Sequence, residues 1–327
     1  MTISINLKVS LIVPVRNEAH RILPLLEAFN QQSNKNFEVI FVDDNSTDDT
    51  ISVINTHLIP SVKRQVMSNQ RQIGINRSAN RGLQIAKNEL VAFLSGHDPV
   101  CKNLVQRVIR AFSDCGHAKM CIFDSFTVTN GYGDNRIEHK IPINDNETFI
   151  QPQTYVNLMR FAPFNMASNA IFYHKSILGN DPLKHDHGLY ADWFLKNKSI
   201  ISYGAFYSQV AVTGVLLHKN RYEKSKVHSL IRRYRYVSSI YEDLLNDKAV
   251  TASFKSAGIF PETNLLILML IFVRMRHYQL ISIRTVINTL YRFVWHRVGF
   301  ANLSVDAKQK IKMFLTNQSK KRKFYSH

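Results

Sequence analysis

The sequence predicts an α/β fold, in which a mostly parallel sheet is flanked by helices and is followed by a helical, basic C-terminal extension. Three observations predict it: short apolar runs recur between residues 9 and 128, segments with helical apolar spacing separate them, and polar clusters follow several of the runs. This alternation is typical of parallel sheets with helices on both faces. Such sheets bind ligands beyond the carboxyl ends of their strands, so the polar clusters mark the expected site.

The individual elements follow from the apolar runs and from the spacing between them. Strands are predicted at Val9–Val15, Phe37–Val42, Val62–Met67, Leu90–Leu94 and Met120–Val128. Helices are predicted near Leu23–Phe29, from Asp48 to His57, at Asn76–Lys87, at Val105–Phe112 and at His228–Leu245. Residues 129–150 are predicted to be an exposed loop because they are rich in Asn, Gly and Asp, and residues 165–217 to mix strand and helix.

Charge separates the chain into two parts. The net charge is +18, but residues 1–217 carry 21 Lys and Arg against 18 Asp and Glu, whereas residues 218–327 carry 21 against 6. The last third is therefore expected to face an anionic partner. It contains no motif of the known nucleic-acid modules, so no specific nucleic acid is expected. A membrane surface fits better, because Arg alternates with apolar and aromatic residues from Leu265 to Phe300.

Simple features of the sequence disfavour several classes of protein. The three cysteines, Cys101, Cys115 and Cys121, are odd in number and lack CxxC spacing, which argues against a disulfide framework or a thiolate zinc site. The first residues show no signal peptide, so a cytoplasmic setting is expected. The apolar run Leu265–Val273 is too short to span a bilayer.

The polar clusters contain groups suited to a phosphorylated ligand. They are the segment from Pro14 to Glu18, the pair Asp43 and Asp44, and the segment Ser95, Gly96, His97 and Asp98. Carboxylates accept hydrogen bonds from imide N–H groups or ribose hydroxyls. Arg71, Arg77 and Arg81 lie between the second and third clusters, and the arginine fork suits a diphosphate.

Each cluster also has an ordinary structural explanation. Asp43, Asp44 and the residues after them could only cap a helix, since Asp, Asn and Ser are preferred caps. The arginines could be solvated charges, and His97 a surface histidine. The case for binding comes from the three clusters together.

Val9–Glu18, Phe37–Thr50 and Gly74–Ala86 together resemble family 2 glycosyltransferases of the GT-A fold. The resemblance covers roughly residues 8–220. It implies transfer of a sugar from a nucleotide diphosphate with inversion, normally assisted by Mg²⁺ or Mn²⁺. The residues then expected to bind the nucleotide sugar are Pro14, Val15, Arg16, Glu18, Asp43, Asp44, Gly74, Arg77, Asn80, Ser95, Gly96 and Asn169.

The chain departs from the family pattern at the metal position. The family usually carries Asp-x-Asp after the fourth strand, whereas this chain has Ser95-Gly96-His97, which is similar to a bacterial subgroup with Ser-x-His. Imidazole is a competent ligand for Mn²⁺ but lacks the charge of a carboxylate. Either a divalent cation is held through His97, Asp98 and His218, or arginines neutralise the diphosphate.

The resemblance also implies a catalytic base. Where the family often has Glu-Asp at the start of a helix, this chain has Ala191-Asp192. An inverting transfer needs one carboxylate to take the proton of the attacking hydroxyl, which makes Asp192 the expected general base. The alternative is a surface carboxylate on an amphipathic helix.

The resulting hypothesis is an inverting glycosyltransferase that acts on a glycan or polyprenyl-linked acceptor in bacterial capsule, O-antigen or exopolysaccharide synthesis. The alternative is a catalytically degenerate GT-A domain that binds a nucleotide sugar or a membrane. The expected domains are a GT-A domain at 1–220 (nucleotide-sugar half about 1–100, acceptor half about 101–220), a helical membrane-surface region at 221–317 and a basic tail at 318–327. Attachment would be peripheral, on the inner face of the cell membrane, and a homo-oligomer is compatible with the sequence.

Overall fold

The computed structural model describes residues 7–129, 136–143, 145–161, 164–217 and 230–259. The chain divides into two compact units. The first consists of residues up to Pro152 together with the segment from Asn165 to His228, and the second of Gln153–Phe164 and the residues from Ser229 onward. The first unit contains the whole sheet and all the site residues discussed below.

The strands of the described residues form one sheet. They are β1 (Val9–Val15), β2 (Phe37–Asp43), β3 (Lys63–Ser68), β4 (Leu90–Phe93), β5 (Met120–Thr129), β6 (Arg136–His139), β7 (Glu147–Ile150), β8 (Ile171–His174) and β9 (Ala205–Leu217). Their order across the sheet is β3-β2-β1-β4-β8-β5-β9-β7, and β6 also pairs with β5. The pairs β3–β2, β2–β1, β1–β4 and β5–β9 are parallel. The predicted α/β fold is confirmed.

The described residues also form α-helices, each of which buries apolar side chains. They are α1 (Leu23–Asn30), α2 (Thr50–His57), α3 (Ile75–Ile85), α4 (Leu104–Asp114), α5 (Pro152–Phe161), α6 (Ala191–Tyr203), α7 (Leu230–Leu245) and α8 (Lys248–Ala257). Every residue of β1 and β2 is buried, as expected for strands covered on both faces. The strands and helices predicted up to residue 128 are thus present, with shifts of one to three residues at most ends.

The prediction for residues 129–150 was wrong in part. Instead of a continuous loop, the structure has β6 and β7 there, which pair antiparallel with β5 and β9. The loop composition concealed them because such edge strands depend on partners far along the chain. β8 is also antiparallel, and it lies between β4 and β5.

Two backbone features shape the edge of the sheet where the site lies. Gly82 of α3 faces the sheet so closely that a Cβ there would meet Ile12 Cγ2 at 2.6 Å and Val42 Cγ2 at 3.1 Å. Asn17 and Asn45, just beyond β1 and β2, have φ values of 53° and 62°. Asn tolerates this left-handed conformation better than most residues, so both strands end in tight turns.

The described part of the second unit is helical. The predicted helix at His228–Leu245 is present as α7, and its buried residues include Val237, Tyr241 and Leu244. Ile231, in the first turn of α7, is instead 66% exposed. Within the described residues, none of the helices combines the length and the apolar character that a membrane crossing requires. Leu265–Val273, the other residues from 260 onward and His218 lie outside the described residues.

Candidate functional site

The turns after β1 and β2 are joined by hydrogen bonds. The backbone N–H of Asp44 donates to the carbonyl oxygen of Val15 over 2.9 Å. Asn17 accepts from the N–H of Thr47 over 2.8 Å through Oδ1, and its own N–H donates to Ser46 Oγ over 3.0 Å. Two of the predicted polar clusters therefore form one rigid edge, as the strand-end argument predicted.

Asp44 is the centre of this edge. Its Oδ1 accepts from Asn69 Nδ2 at 2.9 Å and from the N–H of Ile73 at 2.8 Å, while Oδ2 accepts from the N–H of Gly74 at 2.9 Å. Burial acts to raise the pKa of Asp44, but the hydrogen bonds outweigh burial and leave the pKa below its usual value. Asp44 thus holds the loop before α3 as an ionised carboxylate, and its contact with a nucleotide stays a prediction.

At the start of α2 the N-cap residue, Asp49, makes no side-chain capping bond. Asp48, rather than Asp43 or Asp44, accepts from the N–H of Thr50, the first residue of α2, over 3.1 Å. Asp43 instead accepts from the N–H of Ser46 over 3.1 Å and also from its hydroxyl. A capping role therefore does not account for Asp44.

The first and third clusters meet through two side chains. His97 Nδ1 lies 3.2 Å from Glu18 Oε1, and Arg21 Nε lies 3.0 Å from Glu18 Oε2. Gly96 makes the approach sterically allowed, because a Cβ there would stand 3.1 Å from Val15 Cγ1 and 3.3 Å from Glu18 Cγ. The tips of β1 and β4 are therefore in direct contact.

Asp98 belongs to a buried polar network. Its Oδ2 accepts from Asn169 Nδ2 over 3.1 Å, and the same amide nitrogen donates to the carbonyl oxygen of Gly214 over 2.7 Å. Asn169 Oδ1 lies 3.3 Å from the hydroxyl of Thr213, which donates to it. Among the described residues, Asp98 Oδ1 has no hydrogen-bond partner although Asp98 is only 4% exposed.

That oxygen bears on the predicted cation. A buried carboxylate oxygen without a donor is suited to bind a divalent ion, and Mg²⁺ or Mn²⁺ in such sites is commonly held by one or two protein groups together with substrate phosphates. No group of three or more His, Cys, Asp or Glu side chains in the described part of the chain could hold a metal alone. Asp98 therefore fits a cation shared with a diphosphate.

The remaining polar candidates, which follow β1 and β3 or lie on α3, differ in exposure. Arg77 is exposed on α3, and Arg16 is exposed after β1. Asn80 is buried, and its amide bonds to both the N–H and the carbonyl of Leu183, at 3.2 and 3.0 Å, so it fastens α3 to a later loop. Beyond the end of β3 lies a cavity of about 330 Å³ whose lining is Ser68, Asn69, Gln70, Arg71, Ile73 and Arg81. Its two arginines are placed to meet an anionic group.

Asp192 stands in the first turn of α6 and is exposed. Its Oδ1 accepts from the N–H of Trp193 over 2.7 Å, and a carboxylate in the first turn of a helix is stabilised by the helix dipole. Burial, and after it the charge of Asp192, raises the pKa of Tyr173. Because Asp192 is exposed, its carboxylate is accessible to a substrate hydroxyl.

The helix that carries Asp192 is fastened to the loop held by Asp44. Asn76, in the first turn of α3, donates through Nδ2 to the carbonyl oxygen of Gly188 over 2.8 Å. A Cβ at Gly74 would also lie 3.9 Å from the ring of His185. The segment that enters α6 therefore lies against the segment that Asp44 positions.

Lys196 fastens the same helix on its other side. Its ammonium donates to the carbonyl of Met166 over 2.5 Å, to Ser168 Oγ over 3.2 Å and to Asn165 Oδ1 over 3.4 Å. Lys196 is 4% exposed, and burial lowers its pKa while the charge of Asp192 opposes the shift. The bonded segment leads directly into Asn169, the partner of Asp98.

Several of these residues were missed by the sequence argument. Asn69 directly follows β3, so the rule that polar residues after strand ends mark the site could have found it. Asn76, Lys196 and Arg21 gave no such signal, because their partners are defined only by the fold. His218 lies outside the described residues.

Comparison with known families agrees with this geometry. The family described as glycosyl transferase family 2 matches residues 10–178. The amylovoran biosynthesis glycosyltransferase AmsB of Erwinia amylovora is 24% identical over 147 residues, which are 43% of this chain and 49% of AmsB. The UDP-Glc:alpha-D-GlcNAc-diphosphoundecaprenol beta-1,3-glucosyltransferase WfaP of Escherichia coli is 36% identical over 90 residues, 28% of this chain and 35% of WfaP. The chain spans about a third to a half of the length of the curated relatives it matches.

Solved structures share the fold at lower identity. S. aureus TarS 1-349 in complex with UDP-GlcNAc superposes with a TM-score of 0.59 at 19% identity, covering 76% of this chain and 72% of that fragment. The mannosyltransferase PcManGT from Pyrobaculum calidifontis, in complex with GDP-Man and Mn²⁺, has a TM-score of 0.51 at 16% identity and covers 89% of this chain and 88% of PcManGT. At these identities the likeness establishes the fold alone.

Proposed function

The chain belongs to glycosyl transferase family 2, and we propose that it is a glycosyltransferase that transfers a sugar with inversion from a nucleotide-diphosphate sugar, with Asp192 as the general base. The observation that carries the proposal is the hydrogen bond from Asn76 to the carbonyl of Gly188. It fastens the segment leading to Asp192 against the loop that Asp44 organises. A base and a donor-binding edge must lie together for in-line attack at the sugar.

The donor is proposed to bind along the edge formed by the ends of β1, β2 and β4. Pro14, Val15 and Arg16 would flank the base, while Asp43 and Asp44 would face the base and ribose. Gly74, Arg77 and Asn80 of the α3 region are proposed to border the donor on the other side. Of these, Arg16 and Arg77 have the exposed side chains that a phosphate could reach.

The diphosphate and the sugar are proposed to lie at the end of β4, beside Ser95, Gly96, His97, Asp98 and Asn169. Asp98 Oδ1 and His97 would hold a Mg²⁺ or Mn²⁺ ion, which neutralises charge on the diphosphate when it is bound. The orphaned Oδ1 of Asp98 supports this assignment. The arginines of the cavity after β3, Arg71 and Arg81, offer further positive charge.

The chemistry requires one proton acceptor on the acceptor side. Asp192 takes the proton of the acceptor hydroxyl as its oxygen forms the bond to the anomeric carbon. The bond from that carbon to the phosphate oxygen breaks, and the nucleoside diphosphate leaves with the electron pair. Attack opposite the leaving group inverts the anomeric configuration.

The names of relatives support an envelope polysaccharide as the product. AmsB is named for amylovoran biosynthesis and WfaP for transfer to a diphosphoundecaprenol-linked acceptor. We therefore propose a glycan or polyprenyl-linked acceptor, in bacterial capsule, O-antigen or exopolysaccharide synthesis. Residues 218–327 carry 21 Lys and Arg against 6 Asp and Glu, which fits a location on the inner face of the cell membrane.

The proposal is tested by turnover of a panel of UDP- and GDP-sugars with Mn²⁺, Mg²⁺ or chelator, using wild type and Asp192→Asn. We expect at least one donor to be consumed by wild type, with faster turnover when the cation is present. A chain that binds a nucleotide sugar, seen as a rise in Tm, but consumes none would instead be the degenerate GT-A domain. If chelator abolishes turnover, a cation rather than the arginines supplies the main charge that neutralises the diphosphate.

The membrane location has a separate test. Flotation with vesicles that contain anionic phospholipid should recover the full chain but little of a variant truncated before Leu265. Recovery that is equal for the two proteins would exclude the region from Leu265 onward as the membrane contact.

A further inference from the structure

Glu18 is positioned to support the side chain of His97 rather than to bind a nucleotide directly. The Glu18 side chain is 10% exposed, and each of its carboxylate oxygens lies beside a nitrogen of another side chain. Oε1 lies 3.2 Å from His97 Nδ1, and Oε2 lies 3.0 Å from Arg21 Nε. The Oε2–Nε contact is an ion pair without a hydrogen bond, and because Oε2 is buried it is not open to a nucleotide.

The position of Glu18 is fixed by its own backbone. Its N–H donates to Thr50 Oγ1 over 2.8 Å, which ties it to α2. Its carbonyl oxygen accepts from the N–H groups of Arg21 and Ile22 over 2.8 and 2.9 Å. A carboxylate anchored in this way can impose an orientation on its partner.

The contact with Nδ1 determines how the His97 ring is used. A carboxylate accepts hydrogen bonds and cannot donate them, so Nδ1 must carry the proton in this pair. The hydrogen bond at one ring nitrogen sets the function of the other, which leaves ligand chemistry to Nε2. Carboxylates that support metal-binding histidines act in the same manner.

Arg21 makes the buried carboxylate tolerable. A carboxylate removed from water without a compensating charge is strongly unfavourable, and His97 alone offers only a single N–H. The guanidinium at 3.0 Å supplies the opposite charge. Oε1 of Glu18 therefore orients His97, while Oε2 forms the ion pair with Arg21 that compensates the charge.

We propose that Glu18 is a positioning residue that holds the His97 ring with Nδ1 protonated and Nε2 directed to the cation and diphosphate of the donor. The inference rests on the proposed function, in which His97 serves the donor. It replaces direct nucleotide contact as the function of Glu18. It also explains how a histidine can stand where the family usually has a carboxylate, since Glu18 contributes the negative charge from behind the ring.

Nitrogen NMR of the full chain labelled with ¹⁵N-histidine tests the pair directly. The His97 signals are assigned by their absence in His97→Asn. We expect Nδ1 to carry the proton in wild type, and this preference to be lost in Glu18→Met but retained in Arg21→Lys, which keeps the compensating charge. An Nε2 that carries the proton in wild type, or a proton on Nδ1 that persists in Glu18→Met, would overturn the inference. This readout needs no turnover, so it separates failure of the inference from failure of the proposed function.

A double-mutant cycle tests the consequence for catalysis. Glu18→Met should lower kcat/KM for the donor by roughly 10- to 100-fold in an otherwise wild-type chain, the range seen for such supporting groups. The same substitution should have no further effect in His97→Asn, yet its full effect in Arg21→Lys. Equal losses in all three backgrounds would show that Glu18 does not act through His97. If Glu18→Met does not fold, Glu18→Gln is used in the same cycle, because it keeps an acceptor oxygen but loses the charge. It should give a smaller loss of kcat/KM, and this loss should again vanish in His97→Asn.

Discussion

The Nδ2 atom of Asn76 donates a hydrogen bond to the carbonyl oxygen of Gly188 over 2.8 Å. The two residues are 112 positions apart in the chain, and the bond joins the first turn of α3 to the segment that enters α6. Asp44 holds the loop on one side of this contact, and Asp192 follows on the other. The proposed donor edge and the proposed base are therefore parts of one hydrogen-bonded unit.

Asn76→Ala should lower the rate of transfer more than it lowers stability. The lost bond contributes about 1 kcal/mol to the free energy of unfolding, but a shift of the segment before Asp192 should reduce kcat roughly 10-fold. Donor affinity should stay close to that of wild type, because the donor edge itself is unchanged. Asn55→Ala, at an exposed position of α2, is the matched control and should leave both quantities unaltered. An unchanged kcat in Asn76→Ala would show that the Asn76–Gly188 hydrogen bond does not position Asp192 for catalysis.

Asp44→Asn should lower the free energy of unfolding by about 2 kcal/mol at neutral pH, because an amide cannot accept from all the N–H groups that the carboxylate serves. The pKa of Asp44 is lowered in the folded chain, so its contribution is present above about pH 4, the usual value for Asp, and is lost as the pH falls further. The difference between the two proteins should therefore shrink in acid. Urea unfolding at pH 7 and at pH 3 measures it, and a difference that grows in acid would contradict the assignment.

Gly82→Ala tests the close packing of α3 on the sheet. Although Ala favours helix more than Gly by about 1 kcal/mol, its Cβ would stand 2.6 Å from Ile12 Cγ2, inside a fully buried strand. Overpacking of this kind costs about 1–3 kcal/mol, so we expect a lower Tm. Gly116→Ala, where a Cβ meets no described atom within 4 Å, serves as control and should leave Tm unchanged or raised. A Gly82→Ala chain as stable as the control would show that α3 can move away from β1.

Lys196→Met should destabilise the chain by about 1–3 kcal/mol, because it leaves the buried carbonyl of Met166 and the hydroxyl of Ser168 without their donor. Hydrogen exchange of peptides that cover residues 165–170 should become faster. Lys198→Met provides the control on the same helix, since its ammonium lies 5.9 Å from the ring of Phe194 and makes a weaker contact. Exchange that is equally slow in both variants would mean that Lys196 does not hold the segment.

The sequence predicted the parts of the site that are local in the chain. Asp44 and the segment from Ser95 to Asp98 were identified because buried apolar runs end just before them, and the carboxyl ends of parallel strands form one edge. The start of the helix that carries Asp192 was expected from the family resemblance alone.

The connections between these parts could not be predicted, because each joins residues far apart in sequence. Asp98 and Asn169 are separated by 71 positions, and Glu18 and His97 by 79. No local pattern predicts that a lysine such as Lys196 will be buried, since lysine is almost always exposed. β6 and β7 escaped prediction for the same reason, as their pairing with β5 and β9 is a property of the folded sheet.

The assignment of Asp192 as the base is tested most directly by the kcat of sugar transfer in Asp192→Asn, measured with saturating donor and acceptor. We predict a fall of about 10²- to 10⁴-fold, the range typical for loss of a general base, with donor Kd close to that of wild type. Asp186→Asn, an exposed carboxylate of the preceding segment, should keep the wild-type kcat. A kcat for Asp192→Asn that equals that of wild type or of Asp186→Asn would contradict Asp192 as the base.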